Sequence, residues 1–180
     1  EVILRCLYSW FNIKTIILKN IKNGVKDNLM IEETIIITES VKNTVFSAVI
    51  SKLISDGIDI GREKIREIIK NKSNKNGGFC KEIYTILVNV VNKVTYNKMG
   101  EKIYDIAENI LLNLLENKYD YKEVIRIEVE KNGVYSLNVE KFVDIFIREI
   151  CSDKNENVYR EIEIHMLLSN INNNRLVMQE

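Results

Sequence analysis

The stretch Phe79-Cys-Lys-Glu-Ile-Tyr-Thr-Ile-Leu-Val-Asn-Val-Val-Asn-Lys-Val-Thr95 decides the fold. It is apolar almost all round, with Ile83, Ile86, Leu87, Val88, Val90, Val91 and Val94 distributed about a helical wheel. A helix without a polar face belongs where neighbours cover every side, so residues 79–95 read as the central helix of a bundle. Burying one Ile or Val there stabilises by roughly 1.5–3 kcal/mol, and about seven such residues would dominate a core. Val88→Asp is accordingly expected to destabilise by several kcal/mol, as a buried and unpaired carboxylate.

Working outward, residues 71–78 contain only Asn, Lys, Ser and Gly and read as an exposed loop. Upstream of it, 61–71 is a short charged helix whose apolar stripe is Ile65, Ile68 and Ile69. Before that, 29–55 carries Val41, Val45, Val49 and Leu53 on one helical face and closes at Asp56-Gly57. Its leading part, Thr34-Ile-Ile-Ile-Thr38, is equally good strand material. A first helix over 2–22 stops at Asn23-Gly24, a C-terminal glycine signal. Downstream, 99–118 is amphipathic through Ile103, Ile106, Ala107, Ile110, Leu111, Leu114 and Leu115. Val124 to Val129 alternates like a strand, and Lys131-Asn132-Gly133 could turn a hairpin; a helix ending at Gly133 is preferred because its surroundings are helical. Helices over 139–150 and 158–168 follow, then a frayed tail over 170–180. The expected architecture is all-α: one globular domain spanning 1–180, a bundle of seven to eight helices with no repeat of fixed period.

Composition narrows the function classes. The 180 residues hold 26 basic and 26 acidic side chains, so the electrostatic footprint of a nucleic-acid binder is missing. The 29 isoleucines and 22 asparagines, against two alanines, look like the product of an A+T-biased genome. Cys6, Cys80 and Cys151 are odd in number and widely spaced, which favours buried thiols in a reducing compartment over a disulfide framework. The longest apolar runs are broken by Arg5, Lys14 and Lys19, or by Asn89 and Lys93, short of the ~18 residues that a membrane span needs. Beginning at Glu1, the sequence reads as a trimmed or processed chain.

Chemistry is sparse. His165 is the sole histidine and has no cysteine pair beside it, so no metal site is expected. Gly77-Gly78 lacks the lysine and hydroxyl of a phosphate-cradling loop. Lys70, Lys72 and Lys75 form a small basic cluster with no aromatic residues interleaved for base stacking. The sequence therefore reads as non-enzymatic, without cofactor or small-molecule substrate.

One segment is more specific. Phe46-Ser-Ala-Val-Ile-Ser-Lys-Leu-Ile-Ser-Asp-Gly-Ile-Asp-Ile-Gly-Arg62 resembles the first homology region of the B-cell lymphoma (Bcl) family of apoptosis regulators. Phe46, Val49, Ile50, Leu53, Asp56, Gly57, Gly61 and Arg62 stand in register, Ile58 and Asp59 are conservative replacements, and Ile60 takes the place of a tryptophan. Glu1 to Ser9 is similar to the family's amphipathic first helix, and Asn132-Gly133-Val134-Tyr135 with Phe142-Val143-Asp144 to its second homology region. In a second register, Leu53, Gly57, Asp59 and Arg62 resemble the family's third homology region, and 79–95 becomes its central helix.

The resemblance implies a regulator of host cell death, of poxvirus-like origin. An apolar groove would accept an amphipathic helix from a pro-apoptotic or signalling partner, read at i, i+3, i+4 and i+7. Val49, Ile50, Leu53 and Ile54 would line or support the groove with Ile58 and Gly61, and Arg62 would pair with the ligand's aspartate. A cation in a first helical turn opposes the helix dipole, so Arg62 makes best sense if a carboxylate from outside arrives there. The implied compartment is the cytosol, or the mitochondrial outer membrane if an anchor follows Glu180. The alternative is a helical scaffold for a large folded partner, such as a translation complex or an innate-signalling protein. Asn92-Lys93-Val94-Thr95 is faintly similar to the middle domain of a translation-initiation scaffold.

Overall fold

A computed structural model describes residues 37, 39–58, 62–70, 78–96, 98–116, 120–134 and 138–177. Seven α-helices follow in order: α1 Glu39–Leu53, α2 Arg62–Lys70, α3 Gly78–Val94, α4 Lys102–Glu116, α5 Tyr121–Lys131, α6 Val139–Ile150 and α7 Glu156–Val177. A π-helical turn, Ile54–Ile58, extends α1, and a 3₁₀ turn, Asp153–Asn155, joins α6 to α7. No strand occurs among the described residues, and the fold is an all-α bundle. The helix expected over 2–22, residues 34–36 and 38 of the strand-or-helix segment and 71–77 of the loop expected over 71–78 lie outside the described residues, and Gly78 is helical, opening α3.

Local chemistry sets the helix ends. Asp120 accepts the Glu123 amide at 2.9 Å and Asn138 accepts that of Lys141 at 3.1 Å, so α5 and α6 each begin on a side-chain cap. Gly133, at φ 83°, takes the chain out of α5 in the left-handed region that glycine tolerates. The segment over 124–131 is thus helical, and its alternation is the inner edge of α5: Val124, Ile125 and Val129 are buried and Arg126 is exposed. At the end of α6 the Glu149 carbonyl accepts both Ser152 Oγ (2.6 Å) and Asn155 Nδ2 (2.7 Å), which turns the chain into α7. α7 then runs on to Val177, past the expected onset of fraying at 170. Each asparagine lowers helix propensity by less than about 0.7 kcal/mol, and neither glycine nor proline interrupts the run.

α3 packs chiefly against α4 and α6 and also meets α2 and α7. Ile83, Leu87, Val90 and Val91 are fully enclosed. Thr85 and Lys93 nevertheless reach solvent and Val88 is half-buried, so α3 has a wet edge that its sequence conceals. An apolar residue on a surface is ordinary, and valine at 88 does not by itself demand enclosure. α1 is covered just as broadly, by α7, α6 and α4, and buries Val41, Val45, Phe46, Ala48, Val49, Ile50 and Leu53. Phe46 stacks on Tyr121 of α5 (4.1 Å, 8°) and tilts against Phe146 of α6 at 4.9 Å. Beside this aromatic junction the buried Lys42 holds Glu140 at 2.6 Å and Asp144 at 3.0 Å. Such an ion pair leaves neither charge stranded in the interior.

Candidate functional site

The residues expected to form a groove divide sharply. Val49, Ile50 and Leu53 are core side chains, and Ile54 is half-buried against the same core. Val49, Ile50 and Leu53 thus belong to the interior, where they can support a groove from beneath but do not form its surface. α1 itself meets α4, α6 and α7 of the chain, and of the four only Ile54 keeps part of its side chain open to solvent. Gly61 and the side chains of Ile58 and Arg62 lie outside the described residues; the Arg62 backbone opens α2.

What residues 46–58 do form is the end of α1 and its π turn, fastened to the surroundings. The π turn ends α1 around Asp56-Gly57, where the sequence signals a stop. Lys52 Nζ lies 2.6 Å from Asp56, 3.3 Å from Glu161 of α7 and 5.2 Å from the centre of the Phe79 ring. Burial works against its charge, but the Asp56 and Glu161 carboxylates outweigh it and hold the ammonium above its ordinary pKa. One residue back, Ser51 Oγ meets His165 Nε2 of α7 at 2.8 Å. Burial, aided by the charge of Lys52, keeps the His165 pKa below its usual value, so the ring is neutral at pH 7 and serves as a hydrogen-bonding partner.

These contacts set the face that α7 shows to solvent. Val158, Tyr159 and Ile162 point into the core. On the opposite face Ile164, Leu167 and Leu168 are 55%, 45% and 55% exposed, at i, i+3 and i+4. His165 lies on the flank between the two faces, where it meets Ser51 near the end of α1. The sequence marks 158–168 as an apolar helix but carries two apolar faces there, and periodicity alone does not tell which one the bundle takes.

A second feature lies elsewhere. An open cleft of about 460 Å³ forms where the end of α3 meets the start of α4 and the α5–α6 connection. Val94, Met99 and Val134 supply its apolar surface, and Tyr96, Lys98 and Lys141 its polar groups.

Burial pushes the Cys80 thiol up to about 11, so it stays protonated at neutral pH. No metal-ligating cluster of His, Cys, Asp or Glu occurs among the described residues. No helix among them is long and apolar enough to cross a membrane. Comparison with known proteins gives no match: no family model, curated protein or solved structure is significantly similar to this chain.

Proposed function

We propose that the chain is a non-enzymatic binding module that captures an amphipathic helix of a death-regulating or signalling partner, with α7 and the end of α1 as the receiving surface. The observation that carries this reading is the exposed Ile164, Leu167 and Leu168 stripe, on a helix that the Ser51–His165 contact ties to α1. Three large aliphatic side chains exposed at helical spacing are what the apolar face of a second helix buries best. The resemblance of 46–62 to the Bcl family gives the partner's class, and Arg62 is the cation that meets its aspartate. The compartment that goes with this reading is the cytosol, where a buried cysteine such as Cys80 stays a thiol.

The test is fluorescence anisotropy with a labelled amphipathic helix carrying aliphatic residues at i, i+3, i+4 and i+7 and one aspartate. Micromolar or tighter binding is expected, weakened at least ~10-fold by the paired change Ile164→Glu and Leu168→Glu. Both sites are exposed, so the variant should fold as the parent does. Equal affinity for parent and variant, or no binding to the parent, defeats the proposal.

A further inference from the structure

The cleft at the end of α3 has a chemistry of its own. Among the described residues its lining includes two lysines, Lys98 and Lys141, and no acidic residue. Six lysines elsewhere, Lys42, Lys52, Lys93, Lys122, Lys131 and Lys154, each hold a carboxylate. Among the described residues neither cleft lysine does so. Lys141 instead turns to Tyr96, with Nζ 3.1 Å from the phenol oxygen and 5.3 Å from the ring centre. Cation–ring attraction of this kind holds the ammonium in place and leaves its charge uncancelled.

Tyr96 is itself unusual. It is the one non-glycine among the described residues with positive φ, at 53°, and it is 69% exposed. A residue that ends a helix in this conformation is ordinarily glycine or asparagine, and a bulky aromatic there carries backbone strain of order 1 kcal/mol or more. The strain brings no burial in return, because the ring stands in solvent at the cleft mouth. It does bring a hydroxyl and a ring face to Lys141. Opposite them, Val94, Met99 and Val134 form an apolar wall, and a volume of about 460 Å³ lies within the range of small-molecule pockets.

We propose that this cleft binds a small amphiphilic anion, its acid group between Lys98 and Lys141 beside the Tyr96 hydroxyl and its hydrocarbon body against Val94, Met99 and Val134. Two uncompensated ammonium groups select charge, and the apolar wall selects the body. Removing the charge from the ligand therefore weakens binding more than shortening the body by one methylene.

The experiment uses the full chain labelled with methyl-¹³C methionine and titrated separately with octanoate and octan-1-ol, below micelle-forming concentrations. Met99 lines the cleft, whereas Met166 packs on the core from α7 and serves as the internal control. Met99→Leu assigns the reporting resonance. Octanoate is expected to shift the Met99 methyl saturably, and octanol to do so at least ~10-fold more weakly. Lys98→Gln with Lys141→Gln should bring octanoate down to the affinity of octanol without moving Met166 or the melting temperature. Should that variant fold poorly, added salt on the parent reads the same charge dependence: it weakens octanoate and leaves octanol alone. A Met99 methyl that octanoate does not move, or octanoate and octanol binding alike, overturns the proposal.

Discussion

The Ser51 hydroxyl of α1 lies 2.8 Å from His165 Nε2 of α7, and this contact fixes which face of α7 looks outward. Because burial and Lys52 hold the His165 pKa below its ordinary 6.5, the folded chain binds fewer protons there than the unfolded chain. The sign follows directly: the contribution is complete above about pH 6.5 and declines as pH falls through the depressed folded value. Urea midpoints should drop between pH 7 and the mid-acid range, and His165→Gln should flatten that slope. A slope unchanged in the variant would assign the effect to other groups.

Glu149 gives a second, more acidic limb. Burial alone would raise its pKa, but hydrogen bonds from Lys154 (2.6 Å) and Lys93 overcome it and bring the carboxyl below 4.5. Stability from this group is therefore present above that value and lost as pH falls below it. Glu149→Gln should cost about 1–3 kcal/mol at pH 7 in chemical denaturation and reduce the loss in acid. Lys93→Ala alone should cost less than about 1 kcal/mol, since Lys93 is half-exposed and its charge is screened.

On α3, Val90 and Val88 offer a direct contrast. Val90 is fully enclosed and Val88 half-buried. Val90→Asp should destabilise by several kcal/mol or prevent folding, whereas Val88→Asp, able to turn its carboxylate to water, should cost markedly less. Thermal melts of the two variants compare them; equal losses would mean that α3 has no solvent edge at 88.

Arg62 begins α2, where a cation opposes the helix dipole by a few tenths of a kcal/mol. Arg62→Ala should leave the melting temperature nearly unchanged and weaken the helical peptide by roughly 1.5–3 kcal/mol. Lower stability with intact affinity would tie Arg62 to a carboxylate of the chain itself.

Element identity was largely legible. The apolar spacing of 99–118 and 139–150 and the Asn132-Gly133 stop gave α4, α6 and the end of α5 to within a few residues. Environment was not legible. Val49, Ile50 and Leu53 match a surface motif and a core stripe equally well in sequence, and only the arrival of α4, α6 and α7 around α1 decides between them. The two apolar faces of α7 are likewise equivalent until Ser51 and His165 meet across 114 residues of chain. The cleft was invisible for the same reason: Tyr96, Lys98 and Lys141 come together only when α3, α4 and α6 do.

The surface on α7 is tested most directly by hydrogen–deuterium exchange of the full chain, alone and saturated with the amphipathic helical peptide. Amides across 161–169 and the 54–58 turn should exchange more slowly in the complex, with little change in α5. Protection confined to other helices, or none along α7, would contradict the proposed receiving surface.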